Sequence, residues 1–542
     1  MVHRNDKHPP GVKPWLLYLA AFVAGMTTLG IELSTMRLIS TVLGTSDLVW
    51  AAVITLVLVY LTAGYYLGGR WADRAADPAT FFHLLAWAAF TAGLLPVLAR
   101  PLMLAMASAF YLASLDVVML AITGVTVAVL FAIPVTLLGC VSPFVVRLAV
   151  SDAQTAGKTA GRVYALSTLG SILGTFGPVL ALIPTVGTAW TFAVFAVSLL
   201  AVALFGLYRV APRAAWRGAW MPVVLSGALV VGVHGPIKPA PAGTTLLYEM
   251  ETPYNYVQVV EVTGDAVSRQ PVGTRLLLLN EGQGVHSVYH PDILRTQATW
   301  DMFLAGPYFN PAPYGPDRVD RIAVIGLAAG TIARQYTAVY GPIPIDGIEI
   351  DPGIVEVGRR FFGMDMPNLN VIVDDGRHAL SQLGGGYDLI AVDAYRVPYI
   401  PWQLTTVEFF EEVQARLAPD GVVMVNVGRT ATDRRLVDAM TATLLRVFPS
   451  VHAIDVPYSF NTILAATPTH TTGGNLLANG DHLPPTAHPL LRDTLALAFQ
   501  SLVSIRPSTV VFTDDRAPVE TLVNAMILEF ILGEDSLAQM TS

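Results

Sequence analysis

The sequence predicts an N-terminal all-α transmembrane bundle followed by a C-terminal Rossmann-like α/β domain. Three observations support this multi-domain fold class. Long apolar segments follow one another before residue 235, acids and bases return at ordinary density from Lys238 onward, and strand and helix patterns alternate regularly from Arg321. The alternation is typical of a doubly wound parallel sheet, and apolar segments of this length are typical of helices that cross a bilayer.

The composition of the 542 residues agrees with a membrane protein. Hydrophobic residues make up 53% and charged residues only 13%, with a mean hydropathy of +0.55, whereas a soluble protein has about 25% charged residues. The net charge of −8 and the lack of a basic stripe argue against a nucleic-acid partner. Cys140 is the single cysteine, which excludes an intramolecular disulfide and a cysteine-based zinc site. No metal is expected.

The predicted bundle occupies residues 1–236 and has about seven spans, each requiring about 20 apolar residues. The first span is too long for a signal-peptide core and no small-residue cleavage site follows it, so it is expected to be a retained anchor. Residues 220–233 are a short seventh candidate, and residues 101–114 are expected to form a re-entrant or interfacial piece. The six better candidates are residues 15–38, 48–67, 81–98, 117–138, 163–183 and 189–208.

Basic residues accumulate in alternate loops, which places the N-terminus inside the cell. A crossing by residues 220–233 would put the C-terminal domain outside, unless residues 101–114 contribute to an extra crossing. The alternative is that residues 220–233 do not cross. We nevertheless expect that domain on the cytoplasmic side of a prokaryotic inner membrane, because its predicted substrate is supplied there. Glu32 and Arg37 lie in or near the first span and are interpreted as a structural ion pair or a snorkelling arginine rather than a polar site. Gly170 and Gly174 predict close helix packing.

Residues 244–315 are predicted to form a small β segment, and residues 316–535 the Rossmann-like domain. The predicted strands of the β segment are 256–262 and 276–279. In the Rossmann-like domain, helices are expected over residues 331–339, 353–362 and 406–417. The strands are expected over residues 322–325, 345–350, 371–373, 389–392 and 422–427.

Glycines and acids stand at the predicted carboxyl ends of four strands, where ligands of such sheets bind. Gly326 and Gly330 permit a close turn before an electropositive helix N-terminus. Glu349 follows Gly326 by 23 residues, the spacing of an acid that accepts both ribose hydroxyls. Asp375 is placed to accept from an adenine amino group, and Asp393 would face the reacting tail. These positions together predict a nucleoside site.

The glycine turn lacks the G-x-G-x-x-G spacing of dinucleotide sites. S-adenosylmethionine has no phosphate and is therefore the favoured ligand, intact or decarboxylated, so a class I S-adenosylmethionine-binding fold is predicted. No P-loop, zincin motif or G-x-S-x-G elbow is present in the sequence.

Residues 244 to about 525 resemble spermidine synthases and their relatives. The matching positions, in chain order, are Glu251, Thr252, Pro253, Tyr254, Gln258, Tyr289, His290, Gly326, Gly347, Ile348, Glu349, Ile350, Asp351, Asp375, Gly376, Tyr387 through Asp393, Thr513, Asp514, Asp515, Pro518 and Glu520. The N-terminal half resembles the membrane-bound branch of that family. Its matching positions are Glu32, Leu33, Arg37, Gly69, Arg70, Asp73, Arg74, Pro134 through Pro143, Gly161 through Tyr164, Ile183, Pro184 and Gly187.

The resemblance implies a reaction and roles for residues. Spermidine synthases transfer an aminopropyl group from decarboxylated S-adenosylmethionine to putrescine and release 5′-methylthioadenosine. By this resemblance the catalytic residues are Asp393, Tyr289 and Tyr254. The donor-binding residues would be Gln258, Gly326, Gly330, Glu349, Asp351, Asp375 and Gly376. Arg396 is also expected to bind the donor, but because of its charge and not by this resemblance. A homodimer is a further implication, since family members often dimerise.

The sequence departs from the family pattern where the diamine is held. The aspartate usual before the last glycine of the turn is Ala329, and the second acid after the fourth strand is Arg396. The acidic pair expected before Tyr289 reads Val285-His286. A dication needs carboxylates to offset its desolvation. Arg396 would instead suit the carboxylate of intact S-adenosylmethionine.

These departures favour a lyase, in which the substrate's own carboxylate attacks its γ-carbon and gives methylthioadenosine and homoserine lactone. Aminopropyl transfer to a diamine is the alternative. A methyltransferase that releases S-adenosylhomocysteine, and a polyamine transporter or sensor, are further alternatives with less support.

Overall fold

The computed structural model describes residues 12–43, 47–110, 116–150, 152–233, 238–264, 270–280, 284–395, 399–506 and 508–532. The chain divides into two compact units. The first contains the residues up to Pro239 together with Glu251–Pro253, and the second contains Ala240–Met250 and the residues from Tyr254 onward.

The first unit is all-helical. Its helices are α1 (Pro14–Leu43), α2 (Asp47–Arg74), α3 (Pro78–Phe110), α4 (Asp116–Ala149), α5 (Ala156–Gly177), α6 (Ile183–Val186), α7 (Thr188–Val210), α8 (Pro212–Gly218) and α9 (Trp220–Val233). A five-residue π-helical turn, Pro178–Leu182, joins α5 to α6.

Within the described ranges, six helices are long and apolar enough to cross a membrane by length and composition. They correspond to the six stronger sequence candidates. The seventh candidate forms α9, which has 14 residues, fewer than the ~20 that a span needs. Residues 101–110 of the expected re-entrant or interfacial piece are helical, because α3 continues through Pro96 and Pro101 to Phe110, beyond its candidate span Pro78–Ala99. The rest of that segment lies outside the described residues.

Glycines bring α1 and α5 into backbone contact. A Cβ at Gly170 would overlap the carbonyl oxygen of Phe22, and one at Gly174 would overlap that of Met26. Small residues at a helix interface permit this approach. The packing expected from the small-residue pair is therefore present.

The segment Glu251–Pro253 belongs to the helical unit. The backbone N–H and the hydroxyl of Thr188 donate to the Glu251 carboxylate at 2.8 and 2.6 Å. Arg37 donates to the carbonyl oxygens of Thr252 and Pro253. The Arg37 guanidinium thus binds main-chain oxygens, a contact that the sequence interpretation did not include.

The second unit contains two sheets. A four-stranded sheet has the order β1-β2-β3-β4, and its strands are β1 (Thr244–Glu251), β2 (Tyr256–Val262), β3 (Arg275–Leu279) and β4 (Val285–Tyr289). The strands of an eight-stranded sheet are β5 (Ile322–Ile325), β6 (Ile345–Glu349), β7 (Leu369–Val373), β8 (Tyr387–Val392), β9 (Leu417–Gly428), β10 (Ser450–Asp455), β11 (Asn461–Thr467) and β12 (Leu502–Val503).

The order of the large sheet is β12-β10-β11-β9-β8-β5-β6-β7. The five strands from β9 to β7 run parallel, whereas β11, β10 and β12 pair antiparallel. Its helices, with α10 preceding it, are α10 (Thr299–Met302), α11 (Thr331–Tyr340), α12 (Pro352–Phe361), α13 (Gly376–Gln382), α14 (Val407–Gln414), α15 (Arg435–Leu444), α16 (Gly474–His482), α17 (Pro489–Gln500) and α18 (Val519–Leu532).

The central strands β5, β6 and β8 are buried along their whole length, as apolar strands of a parallel sheet with both faces covered are. The sequence placed these strands to within two residues. One helix was predicted over residues 406–417, but α14 ends at Gln414 and β9 begins at Leu417. The antiparallel additions β10 to β12 were not predicted, so the sheet is mixed rather than purely doubly wound.

Replacing Gly174 by Val is expected to destabilise the helical unit by about 2 kcal/mol, because overpacking of this size forces the backbones apart. The measurement is thermal unfolding in detergent. Gly177→Ala on the same helix is the control, since a Cβ there meets nothing within 4 Å. Equal melting temperatures for the two variants would contradict the contact.

Candidate functional site

The turn after β5 is the centre of the site. Gly326 (φ +87°) and Gly330 (φ +85°) adopt conformations that favour glycine, and Ala328 has φ +47°. A Cβ at Gly326 would lie 2.6 Å from the carbonyl oxygen of Asp393 and 2.7 Å from the nitrogen of Ala394. Only glycine therefore allows the turn to pack against the end of β8.

Glu349 ends β6 and is 7% exposed. One carboxylate oxygen accepts from the N–H of Ala328 at 2.9 Å and the other from the N–H of Asp351 at 3.0 Å. Burial raises the pKa of this carboxyl to about 7, against the effect of the N–H groups of Asp351, Ala328 and Ile350. A carboxylate has about four acceptor positions, so Glu349 can still accept from a ligand hydroxyl.

Asp351, which is predicted to bind the nucleoside, accepts a hydrogen bond from within the protein at each of its oxygens. One caps α12 by accepting from the N–H of Gly353 at 2.9 Å, and the other accepts from Asn255 at 2.9 Å. Asn280 in turn donates to Asn255 at 2.9 Å. Asp351 thereby joins α12 to the chain preceding β2 and supports the Glu349 turn.

Asp375 caps α13, accepting from the N–H groups of Arg377 and His378 at 3.0 and 3.1 Å. Its second oxygen lies 3.4 Å from the Nε2 of Gln403 and is the one left for a ligand amino group. Gly376 is required beside it, because a Cβ there would lie 2.6 Å from Ile325.

Asp393 follows β8 and is partly buried. Asn426 of β9 donates to its Oδ1 at 2.8 Å, and the indole of Trp300 is a second donor. Burial raises the pKa of Asp393 to about 7, while the two donors oppose this. Such a carboxyl changes charge near neutral pH, as a group that holds or accepts a proton in catalysis does.

The two tyrosines expected in the site differ in their surroundings. The guanidinium groups of Arg334 and Arg275 lie 4.4 and 5.8 Å from the ring centre of Tyr289. Tyr254 is 45% exposed. Gln258, on β2, is 2% exposed.

The position expected to hold the substrate carboxylate, Arg396, lies outside the described residues. Two positions where the family resemblance implies acids are described. Ala329 is 2% exposed and its N–H donates to the Ser287 hydroxyl at 2.9 Å. Burial lowers the pKa of His286 to about 4, so its ring is neutral at physiological pH.

Sequence reasoning missed Ser287, Trp300 and Asn426. Each acts on a site residue from an element distant in the chain, and none carries a local motif. Asn426 within the predicted strand over residues 422–427 was the one available signal, since an amide there is unusual among apolar neighbours.

Glu349 is the last residue of β6, Asp375 lies just beyond β7, and Asp393 follows β8. The three carboxyl groups are thus arranged around the Gly326 turn. The carboxylates expected to accept from ribose hydroxyls and from an adenine amino group therefore lie at one edge of the sheet, and Asp393 lies on the far side of the turn. No group of three or more metal-ligating side chains occurs in the part of the chain that the structure describes.

The C-terminal unit is similar to known proteins. Residues 316–469 match the model of the spermine/spermidine synthase domain. The C-terminal unit contains a spermidine synthase-like domain. Its mixed sheet is consistent with a class I S-adenosylmethionine-dependent methyltransferase-like fold.

Similarity to individual proteins covers more of the chain than residues 316–469. A protein of Bifidobacterium longum named "Probable polyamine aminopropyl transferase" is 30% identical over 307 residues, which cover 54% of this chain and 65% of that relative. The polyamine aminopropyltransferase of Vibrio vulnificus is 28% identical over 243 residues, covering 44% of this chain and 75% of the relative. The crystal structure of a probable spermidine synthase from Corynebacterium glutamicum superposes with a TM-score of 0.36 at 21% identity, covering 49% of this chain and 98% of the other.

Replacing Glu349 by Gln is expected to weaken methylthioadenosine binding about 10- to 100-fold, because hydrogen bonds to a charged acceptor contribute about 1.5–3 kcal/mol. Calorimetric titration measures the change. Glu356→Gln is the matched control, since Glu356 is exposed on α12. An unchanged affinity in Glu349→Gln would remove Glu349 from the site.

Proposed function

We propose that the C-terminal unit binds S-adenosylmethionine and cleaves the bond between its sulfur and the γ-carbon of its amino-acid tail. In the favoured form a carboxylate oxygen of the substrate attacks that γ-carbon. The bonding pair moves to sulfur, and methylthioadenosine and homoserine lactone leave. The positive sulfonium and the negative carboxylate disappear together, so no proton transfer and no second substrate are needed.

The main support for this proposal is that the chain lacks acids at the positions where the family resemblance implies them near the amino-acid tail of the substrate. Where the family resemblance implies diamine-binding acids, this chain has Ala329, His286 and Arg396. Ala329 is buried and the His286 ring is neutral. A diamine dication would lose its hydration here without compensating carboxylates.

The described side chains fit intact S-adenosylmethionine in this proposal. Glu349 would accept from the ribose hydroxyls and Asp375 from the adenine amino group. An ionised Asp393 would pair with the α-ammonium group and leave the substrate carboxylate free to attack. Orientation of the two reacting groups within one molecule is then the main catalytic contribution. Tyr254 and Tyr289 are proposed as walls of the tail pocket, and Arg396 as the residue that orients the substrate carboxylate.

Aminopropyl transfer is the second candidate, and the names of the relatives from Bifidobacterium longum and Vibrio vulnificus favour it. An amine nitrogen would attack the carbon next to sulfur in decarboxylated S-adenosylmethionine. The C–S bonding pair would move to sulfur, methylthioadenosine would leave, and the new ammonium would lose one proton. With its pKa near 7, Asp393 is suited to accept that proton.

We propose further that the helical unit holds this domain at a prokaryotic cytoplasmic membrane, with the domain on the cytoplasmic side. The six long apolar helices support this assignment. A homodimer, as the family resemblance implies, is part of the same proposal.

Incubating the purified protein with intact S-adenosylmethionine alone is expected to yield methylthioadenosine and homoserine lactone in equal amounts, detected by mass spectrometry. Added putrescine should not raise the rate. Spermidine formed only from the decarboxylated donor plus putrescine would establish the transferase instead. S-adenosylhomocysteine as the product would identify a methyltransferase.

The pH dependence of substrate binding is expected to report Asp393. Because its pKa is raised to about 7, the carboxyl is charged above that pH and neutral below it. Asp393→Asn should bind S-adenosylmethionine about 10- to 100-fold more weakly than the native protein at pH 8.5, the loss of a charge-assisted contact. The two affinities should converge below pH 6. A constant ratio across this range would contradict a role for the charge.

A further inference from the structure

A chain of three polar side chains leads from a surface loop to Asp393. Ser459 donates to the Oδ1 of Asn461 at 2.6 Å, Asn461 donates to the Oδ1 of Asn426 at 2.9 Å, and Asn426 donates to Asp393 at 2.8 Å. All three hydrogen bonds therefore run in the same direction, toward the carboxylate.

The acceptor at the end of the chain fixes this direction. An ionised carboxylate has no proton to donate, so Asn426 must present its NH2 group to Asp393. Its oxygen then faces Asn461, which must also present its NH2 group. The Asn461 oxygen is left to accept from Ser459. Hydrogen bonds aligned in this way polarise one another.

The loop that begins the chain of hydrogen bonds is held by Arg429. The backbone N–H of Arg429 donates to the carbonyl oxygen of Phe460 at 2.7 Å, and its Nη2 donates to that of Ser459 at 3.2 Å. Tyr458 in the same loop is 89% exposed with φ +58°. The loop thus has an anchored base beneath an exposed aromatic side chain.

We infer that Asn461 is a positioning residue for Asp393, acting through Asn426. This rests on the function proposed above. Through Asn461, the first residue of β11, the β10–β11 loop orients the carboxylate that meets the substrate tail. Removing the Asn461 donor frees the Asn426 amide to turn its oxygen toward Asp393. The carboxylate then loses its donor and ionises less readily.

Other charged and titratable groups lie close to this chain. Tyr395 faces Asp393 and donates to the carbonyl oxygen of Asn426 at 3.1 Å. Asp455 on β10 pairs with Arg434 at 2.7 Å and with Arg429 at 3.6 Å. Replacing Asn461 by Leu alters none of these ionisable side chains, so a shift in the titration can be assigned to the amide chain.

The test compares Asn461→Leu with the native protein in S-adenosylmethionine affinity between pH 5.5 and 9. In both proteins the affinity should fall as the pH is lowered. The pH at which half of this loss has occurred is expected to be about one pH unit higher in Asn461→Leu than in the native protein. Methylthioadenosine lacks the amino-acid tail, so the variant should bind it with an affinity within about twofold of that of the native protein. Such binding would also show that the variant is folded. Asn461→Asp should shift the midpoint further, because the carboxylate introduced there can only accept and would turn the Asn426 amide.

Asn368→Leu is the matched control. Asn368 donates to the carbonyl oxygen of Ile343 at 2.7 Å at the opposite, amino-terminal end of the strands, so its loss should lower stability without moving the midpoint. In an Asn426→Leu background, Asn461→Leu should add no further shift, because the path to Asp393 is already broken.

An unchanged midpoint in Asn461→Leu, in a protein that still binds methylthioadenosine, would overturn the inference. Failure of the proposed function is a separate result: the native protein would then release no methylthioadenosine from either donor. The carboxyl titration remains measurable in that case by infrared difference spectroscopy of the native protein against Asp393→Asn.

Discussion

The close approach of the Gly326 turn to the end of β8 is the constraint on which the site depends. The backbone of Asp393 and Ala394 lies where a side chain at position 326 would be. This contact fixes the turn after β5 against the end of β8, where Asp393 lies. The N–H of Ala328 in that turn donates to Glu349, so the same contact also helps to orient the acid that we propose for the ribose.

Backbone donors and amides, rather than cations, support the two buried carboxylates. Glu349 accepts from two N–H groups, and Asp393 accepts from an amide and an indole. Neutral donors stabilise a carboxylate less than an ion pair does, so burial prevails and both pKa values rise to about 7. A carboxyl in this condition is available to a cationic substrate, whereas one already paired with arginine would be neutralised by the protein.

The C-terminal unit keeps the spermidine synthase-like scaffold and changes the charges at one end of its cleft. In the proposed site, Glu349 and Asp375 keep the ribose and adenine roles that the resemblance implies, while Ala329 and a neutral His286 stand where it implies acids for the diamine. Function on such a fold is decided by the chemistry of the site rather than by the fold. This is why the reaction proposed here differs from the one that the relatives' names suggest, although both break the same type of bond.

The sequence by itself determined the two fold classes, the central strands and the acids at their carboxyl ends, because hydrophobic period and strand-end position are local properties. It did not determine that Asp351 would cap a helix, that Trp300 and Asn426 would hold Asp393, or that β10 to β12 would extend the sheet antiparallel. Trp300 and Asn426 are distant from Asp393 in the chain and meet it only after the sheet has formed. Tertiary structure decided these contacts because hydrogen bonds between distant elements leave no periodic signal in the chain.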